Sequence, residues 1–388
     1  MTDQTDQHSW AEGDRERTDG ETIPGAGAEA NRRMDEWLAT LVNRRGSDLL
    51  LVAGFPASIR FEGAIQPIGS DRLTGPEIEA AVLPALIPHA IRQYRDDQIS
   101  DSSYRVSGLG RFRINLHRER GMPAAAVRAL PPRVPLLEEL RLPPAVEALS
   151  RLPRGLVLIG GPAGSGKSTT VAALVHEINR REARHIITIE DPLEYEHSHI
   201  RSIVEQVEIG VDAPDFPTAL RAALRQAPDV IVVGEMRDPE TMRIAVAAAE
   251  TGHLVLSTLH TTDVASTISR ISDSFPPERQ PTIRQELAMA ISAVLTQILL
   301  PSKRGGRVPV AELLMVGYGA RQHIRRNALQ HLHQEITMTK AKGSVSQEES
   351  LQQLVRQGDI DREEALLYAA HPDDLLSLIR AEGRSLAG

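Results

Sequence analysis

The sequence contains no cysteine among its 388 residues, and aromatic side chains make up only 3% of it. Without thiols the chain has no disulfide bond and no zinc site built from cysteine. It also lacks any apolar run near the ~20 residues that a membrane-spanning helix requires, and its first residues include no apolar core of the signal-peptide kind. These absences predict a cytoplasmic protein with no direct membrane insertion.

The chain also has no excess of positive charge. Acidic residues outnumber basic ones, 52 against 44, which gives a formal net charge of −8. A chain with this balance is not expected to bind nucleic acid, because phosphate backbones attract basic surfaces. Its 25% of charged and 41% of hydrophobic residues are ordinary for a soluble α/β protein, and its length accommodates two domains.

The alternation of polar and apolar segments divides the chain into four parts. Residues 1–33 are rich in acids and poor in large apolar residues, so we predict a disordered acidic tail. Residues 34–130 are expected to form a small α+β domain, and the prolines of residues 131–144 indicate a stiff linker. In residues 145–388, apolar runs alternate with helical stretches, which predicts a mostly parallel sheet followed by C-terminal helices.

Hydrophobic periodicity gives a coarse secondary structure within these parts. We predict strands at residues 49–52, 57–61 and 112–116 of the small domain. We predict helices from residue 34 to 42, then at 76–95, 285–300 and 347–380.

One of the few lysines of the chain lies in a glycine-rich motif. Residues 161–168 match G-x-x-x-x-G-K-[ST], the phosphate-binding P-loop. An apolar run at residues 155–159 precedes the motif, and a one-sided apolar helix starts near Ser168. This order directs backbone N–H groups and the positive end of a helix dipole at a phosphate. We therefore predict a nucleoside triphosphate site formed by Gly161, Pro162, Ala163, Gly164, Ser165, Gly166, Lys167, Ser168 and Thr169.

Four successive apolar runs of the second domain end in groups suited to phosphate chemistry. The first leads into the P-loop, and the next three are followed by Glu190, Glu235 and His260. Ligands of parallel α/β sheets bind beyond the carboxyl ends of the strands. We therefore expect these groups to meet at one site.

The chemistry of ATP hydrolysis assigns roles to these side chains. It needs Mg²⁺ held by the P-loop hydroxyl and an acid, together with a carboxylate that orients the attacking water. We assign the metal to Ser168 and Glu235 and the base to Glu190, with the reverse assignment of the two acids as the alternative. For His260 we consider sensing of the γ-phosphate, a hydrogen bond to Glu235, and a purely structural role.

Arginine is so abundant that no single one stands out, but two pairs share a face of their predicted element. Arg111 and Arg113 alternate along one strand of the small domain. Arg221 and Arg225 are four residues apart on a predicted helix. Either pair is a candidate to bring positive charge to the γ-phosphate from the other domain or from a neighbouring subunit, and surface salt bridges are the alternative.

Four motifs in fixed order resemble those of a known family. Residues 161–168, 188–195, 234–238 and 249–261 are similar to the Walker A, Asp, Walker B and His boxes of the type II/IV secretion ATPases. Within that superfamily, residues 35–380 resemble the type IV pilus retraction ATPases PilT and PilU. The segments 224–230 and 369–375 are closer to PilU.

This resemblance implies a PAS-like N-terminal domain, a RecA-like ATPase domain and a homohexamer with ATP between subunits. It also implies action on the inner-membrane platform protein of the pilus, where the motor pulls pilin subunits from the fibre and supports twitching motility. Two motifs depart from the family. Leu50 replaces a histidine, and residues 319–326 differ from the retraction motif Ala-Ile-Arg-Asn-Leu-Ile-Arg-Glu. These departures favour an accessory ATPase that associates with a PilT-type motor.

Three other functions are compatible with parts of the sequence. A pilus-assembly or type II secretion ATPase would use the same nucleotide site, but such relatives usually add a longer N-terminal region and a four-cysteine zinc motif. A RecA-like nucleic-acid motor is disfavoured by the acidic balance and by the lack of a basic, aromatic-bearing groove. A ring subunit that binds ATP without hydrolysing it is disfavoured by the intact Glu190 and Glu235.

Overall fold

The structure is a computed structural model that describes residues 26–385. The predicted acidic tail therefore lies, up to residue 25, outside the described residues. The first helix begins at Ala26, ahead of Met34, where we expected order to start.

An antiparallel sheet of six strands forms the N-terminal domain, in the order β3-β2-β1-β6-β5-β4. The strands are β1 (Asp48–Leu51), β2 (Pro56–Phe61), β3 (Ala64–Arg72), β4 (Ser100–Val106), β5 (Gly110–Glu119) and β6 (Met122–Ala129). The helices are α1 (Ala26–Asn43), α2 (Gly75–Val82) and α3 (Pro88–Asp97). This architecture is the small α+β domain that the sequence predicted.

The core of this domain forms where the helices cover one face of the sheet. Met34 and Leu38 of α1 are fully buried against strand residues such as Phe112 and Ile114. The single helix predicted at 76–95 is instead two helices, since a short 3-10 turn at Leu83–Ala85 and an extended Ile87 separate α2 from α3. Proline explains the break, because Pro84 lies in that turn and Pro88 opens α3 at a position where its missing N–H costs nothing.

The proline-rich segment after this domain lies on the surface of the next one. It contains a short 3-10 helix at Leu137–Leu140. Leu137 and Leu142 pack against the core beside the following sheet. Apolar side chains thus anchor the end of the segment on the C-terminal domain.

Seven strands form the sheet of the C-terminal domain, in the order β13-β12-β7-β11-β10-β8-β9. All neighbouring pairs are parallel except β12 with β13. The strands are β7 (Gly155–Gly160), β8 (His185–Glu190), β9 (Ile203–Glu208), β10 (Val230–Val233), β11 (Leu254–Leu259), β12 (Ile291–Pro301) and β13 (Arg307–Met315).

Ten helices follow or flank these strands within the described part of the chain. They are α4 (Lys167–Arg181), α5 (Phe216–Ala223), α6 (Pro239–Glu250), α7 (Val264–Asp273), α8 (Gln280–Ala290), α9 (Tyr318–Arg325), α10 (Leu332–Met338), α11 (Gln347–Gln357), α12 (Arg362–Tyr368) and α13 (Pro372–Ser385). Both faces of the sheet are buried, as a parallel sheet requires. Along β7, Leu156 and Leu158 belong to one core, whereas Val157 and Ile159 belong to the core on the opposite face together with α4.

The helix predicted at residues 285–300 is wrong beyond Ala290. There α8 ends, and residues 291–301 form β12, which lies between β7 and β13. A continuous apolar run is compatible with either a buried helix or a buried strand. Pairing with β7 on one side and β13 on the other decides in favour of the strand.

The C-terminal helices pack at the far end of this sheet. Leu351 and Leu354 of α11 and Leu375 of α13 form a separate small core with residues of β12 and β13. Across residues 26–385, no helix combines the length and the apolar character needed to cross a membrane.

Candidate active site

A cavity of about 530 Å³ lies at the carboxyl ends of the central strands. The P-loop follows β7, and β8, β10 and β11 lead to Glu190, Glu235 and His260 respectively. All three of these side chains line the cavity together with residues of the loop and of α4. Because these parallel strands end at the same edge of the sheet, they bring together the groups that the sequence predicted from four separate segments.

The P-loop takes a backbone shape that only glycine adopts without strain. Gly166 has a φ of 91° and immediately precedes α4, whose first residue is Lys167. At Gly160, just before the loop, a Cβ atom would approach Thr261 Oγ1 to 2.7 Å and Thr267 Oγ1 to 2.8 Å. The loop thus bends tightly over the sheet, and backbone N–H groups at the start of α4 face the cavity.

Gln297 of β12 holds the P-loop through two hydrogen bonds, a role that the sequence did not predict. Its Nε2 donates to the backbone oxygen of Ser165 at 2.6 Å, and its Oε1 accepts from Thr170 Oγ1 at 2.8 Å. The Oγ atom of Ser165 is buried, and it has no hydrogen-bond partner among the described residues. Ser165 is not among the cavity-lining residues, and its Oγ lies 2.3 Å from where a Cβ atom at Gly161 would be, so this hydroxyl packs inside the loop.

Lys167 is held at the mouth of the loop. Its Nζ donates to the backbone oxygens of Gly161 at 2.8 Å and Pro162 at 2.9 Å, and it lies 3.4 Å from His260 Nδ1. Burial lowers the pKa of Lys167, and the negative charge of Glu235 opposes that effect. The ammonium group is therefore positioned to meet a phosphate.

Glu235 and His260 form a linked pair beside this lysine. His260 Nε2 lies 3.5 Å from Glu235 Oε1, while Nδ1 of the same ring faces Lys167. If Nδ1 accepts from the ammonium group, the ring hydrogen of neutral His260 lies on Nε2 and faces the carboxylate. Arg237 Nε donates to Glu235 Oε2 at 2.9 Å. The carboxylate thus has a basic group on either side.

Glu190 has a drier environment than Glu235. Burial raises its pKa to about 7, although three hydrogen bonds, from the Thr188 and Gln206 side chains and the Glu194 backbone, favour its charged form. Thr188 Oγ1 donates to Glu190 Oε1 at 2.8 Å, and Gln206 Nε2 donates to the same oxygen at 3.3 Å. A carboxylate with a pKa near the working pH is well suited to accept a proton.

The two arginines predicted on β5 lie in different places. Arg113 lines the cavity and bonds to Asp101 through Nε at 3.3 Å. Arg111 is not among the cavity-lining residues, and its Nη2 donates to the backbone oxygen of Leu193 at 3.0 Å. Arg128 of β6 lines the cavity and was missed by the sequence reasoning, since nothing in the local sequence distinguishes it from the other arginines.

The second predicted arginine pair does not reach the cavity. Arg221 lies in α5 and bonds to Glu240 at 2.6 Å. The helix ends at Ala223, so Arg225 follows in a turn and the two do not share a helix face as predicted. Pro228 keeps the helix from continuing through Ala227, because proline disfavours a helical conformation in the residue before it. Neither arginine lines the cavity.

Oxygen donors for a cation are present in the cavity. Ser168 stands in the first turn of α4, and the Glu235 side chain is 23% exposed. A second group of possible metal ligands lies elsewhere, in His333, His371 and Asp374. There the rings of the two histidines are 3.9 Å apart, and His333 Nε2 lies 3.5 Å from Asp374 Oδ2.

Comparison with known proteins agrees with a nucleotide site at this position. The family model for "Type II/IV secretion system protein" matches residues 139–367. The chain is 38% identical over 339 residues to the type IV pilus retraction ATPase PilT of Pseudomonas aeruginosa, covering 87% of this chain and 98% of that protein. It is 36% identical over 352 residues to the type IV pilus ATPase PilU of the same organism, covering 90% and 92%. A crystal structure of the retraction motor PilT with bound ADP has a TM-score of 0.80 and 40% identity, over 87% of this chain and 97% of that one.

The fold and the site define a P-loop ATPase with a RecA-like domain and a small N-terminal domain. The chain belongs to the type II/IV secretion ATPase family, and within it to the PilT/PilU group. The resemblance drawn from four motifs, the fold class and the nucleotide-hydrolysing activity are thereby confirmed. Because the identities to PilT and PilU are 38% and 36%, they do not separate the two.

Proposed function

We propose that this protein hydrolyses ATP to power type IV pilus retraction and thereby twitching motility. One observation carries the proposal. One cavity is lined by the P-loop, by two carboxylates and a histidine that follow three further strands, and by arginines of the other domain. The chain that forms this cavity aligns with nearly all of PilT. PilT is named a retraction ATPase, and its motor structure binds ADP.

In this proposal the nucleotide phosphates occupy the glycine cradle. Lys167 and the backbone N–H groups of the loop bind the phosphates. The donor set fits Mg²⁺, which prefers oxygen ligands, and Ser168 and Glu235 would hold it. When bound, Mg²⁺ neutralises charge on the phosphate oxygens. His260 links Lys167 to Glu235 and keeps both oriented towards the terminal phosphate.

Glu190 acts as the general base in the proposed mechanism. Its ionised form accepts a proton from the water that attacks the γ-phosphorus atom, and ADP leaves as the bond to the bridging oxygen breaks. Glu235 is the weaker candidate for this role, because Arg237 and His260 already engage its oxygens. The high pKa of Glu190 favours the same assignment.

We further propose that the working form is a homohexamer with ATP between subunits. Arg113 and Arg128 bring positive charge from the N-terminal domain to the cavity, and such charge stabilises the transferring phosphoryl group. We propose that the ring lies in the cytoplasm, peripheral to the inner membrane at the pilus base, and acts on the platform protein.

An accessory, PilU-like role with a PilT-type ATPase is supported by the altered retraction motif. The region containing residues 319–326 carries α9, where a Cβ atom at Gly319 would collide with the Glu335 carboxylate. His323 Nε2 lies 3.5 Å from Glu335 Oε1. Two of the departures, at residues 319 and 323, thus lie beside the same acid of α10.

Labelled pili in living cells test the proposal directly. Lys167→Ala should stop retraction and leave excess surface pili, whereas Lys303→Ala, which removes a surface lysine paired with Asp361, should retract normally. Absence of pili in the Lys167→Ala cells would indicate an assembly motor, and lost protein secretion with normal pili would indicate a secretion ATPase. An accessory role predicts that removal of the PilT-type ATPase stops retraction even when this protein is wild type.

A further inference from the structure

The loop that follows Glu190 is held by a side chain of the other domain. Arg111 of β5 donates from Nη2 to the backbone oxygen of Leu193 at 3.0 Å. The backbone N–H of Leu193 donates to Glu208 Oε2 at 3.4 Å. The side chains of Arg111 and Glu208 are 12% and 7% exposed, so both contacts are sheltered from water.

Glu208 connects this contact to the reaction site. It is the last residue of β9 and lies directly opposite Glu190 in the register of β8 and β9. Ser103 Oγ of β4 donates to Glu208 Oε1 at 2.9 Å, and Arg111 Nη2 lies 3.8 Å from Glu208 Oε2. A buried carboxylate beside Glu190 is thus bonded by two strands of the N-terminal domain.

We propose that Arg111 is a positioning residue, which together with Glu208 clamps Leu193 and so fixes the loop that directly follows Glu190. The proposal rests on the role of Glu190 given above. When the two domains of one chain separate, the clamp opens and the loop loses its support. Hydrolysis therefore requires the arrangement in which β4 and β5 contact the end of β9.

The surroundings of Arg111 distinguish this role from phosphate binding. Its Nε lies 3.3 Å from Glu196 Oε1 and its Nη2 is occupied by Leu193 and Glu208, whereas its Nη1 is buried without a hydrogen-bond partner among the described residues. Arg113, two residues later on the same strand, lines the cavity instead. The strand therefore divides two tasks between neighbouring arginines, one at the phosphates and one at the loop.

Steady-state kinetics on the full chain test the clamp. Arg111→Gln and Glu208→Gln should each lower kcat about tenfold or more, because small misplacements of a catalytic group have effects of this size. The KM for ATP and the affinity for ADP should stay within about twofold of wild type, since neither side chain lines the cavity. Arg111→Lys, which keeps a charge and a donor, should recover part of kcat.

Arg105→Gln is the matched control. Arg105 is paired with Arg111 in register across β4 and β5 and contacts the same Glu196, but the hydrogen bond to Leu193 O comes from Arg111. Its loss should leave kcat unchanged. The double variant of Arg111 and Glu208 should be no slower than the slower single variant, because both act through one peptide.

Hydrogen–deuterium exchange gives a readout that needs no turnover. Peptides covering residues 191–196 should exchange faster in Arg111→Gln and Glu208→Gln than in wild type and Arg105→Gln. Unchanged exchange, or a raised KM with weakened ADP binding in Arg111→Gln, would overturn the clamp in favour of direct phosphate contact. If wild type showed the protected loop but hydrolysed no ATP, the proposed function would fail while the clamp stood.

Discussion

The pH dependence of hydrolysis follows from the burial of Glu190. Because its pKa is about 7, roughly 0.1 of the carboxyl is ionised at pH 6 and roughly 0.9 at pH 8. Only the ionised form accepts a proton, so kcat/KM should rise about tenfold between these two values. This ratio reports on the free enzyme, whose geometry is the one described above.

Two variants separate Glu190 from other groups that titrate in this range. Thr188→Val removes the donor that lies 2.8 Å from Glu190 Oε1, which raises the pKa further and should move the midpoint to higher pH. Glu312→Gln removes another buried acid whose pKa is also about 7 but which bonds to Val264 N, outside the cavity lining, and should leave the midpoint unchanged. The terminal phosphate of ATP titrates identically in all variants.

The same shift predicts the sign of a stability effect. A carboxyl whose pKa is raised on folding contributes stability below its ordinary pKa of 4.5, and this contribution is lost as the pH rises through 7. Glu190→Gln should therefore gain thermal stability relative to wild type at pH 8, and the gain should shrink towards pH 5. A flat kcat/KM profile in wild type, or the same midpoint in Thr188→Val, would refute the assignment of Glu190 as the titrating base.

Five further predictions follow from the site. Lys167→Ala should abolish turnover while its circular dichroism and thermal midpoint stay near wild type, and equal turnover would contradict the P-loop assignment. Glu235→Gln should shift the Mg²⁺ concentration needed for half-maximal turnover upwards, whereas normal Mg²⁺ dependence would favour the reverse roles of the two acids. Arg113→Ala should lower turnover with little loss of stability. When wild type is mixed with Lys167→Ala, activity should fall by more than the fraction of mutant subunits. A fall in proportion to that fraction, from a protein that is a monomer with ATP and Mg²⁺ present, would contradict the ring. Gln297→Leu leaves two buried partners unpaired and should cost about 3 kcal/mol of unfolding free energy, so calorimetry that shows no change would contradict this role of Gln297.

Much of the site could be predicted because it is built from short, local patterns. The P-loop is a strand, a glycine turn and a helix within a few residues of each other, and each part has its own chemical signature. The polar residues that end β8, β10 and β11 were recognisable for the same reason, since buried strands are continuous apolar runs and their ends stand out.

Other residues became visible only through contacts distant in sequence. Gln297 was assigned to a helix, because nothing in an apolar run reveals that β7 and β13 pair with it. In the sequence, nothing distinguishes Arg128 from the other arginines. In the structure β6 lies beside β5, and Arg128 lines the cavity. Arg111 was grouped with Arg113 because both lie on one strand face, although its neighbours across the domain boundary give it a different partner.

From the sequence alone we could predict a nucleotide-binding site, two candidate catalytic carboxylates and the protein family. The tertiary structure decided which groups meet, which arginines line the cavity and which one bonds to the loop after Glu190. The physical reason is that backbone conformation and residue type act over a few residues, whereas strand pairing and domain contact are fixed by the packing of the whole chain.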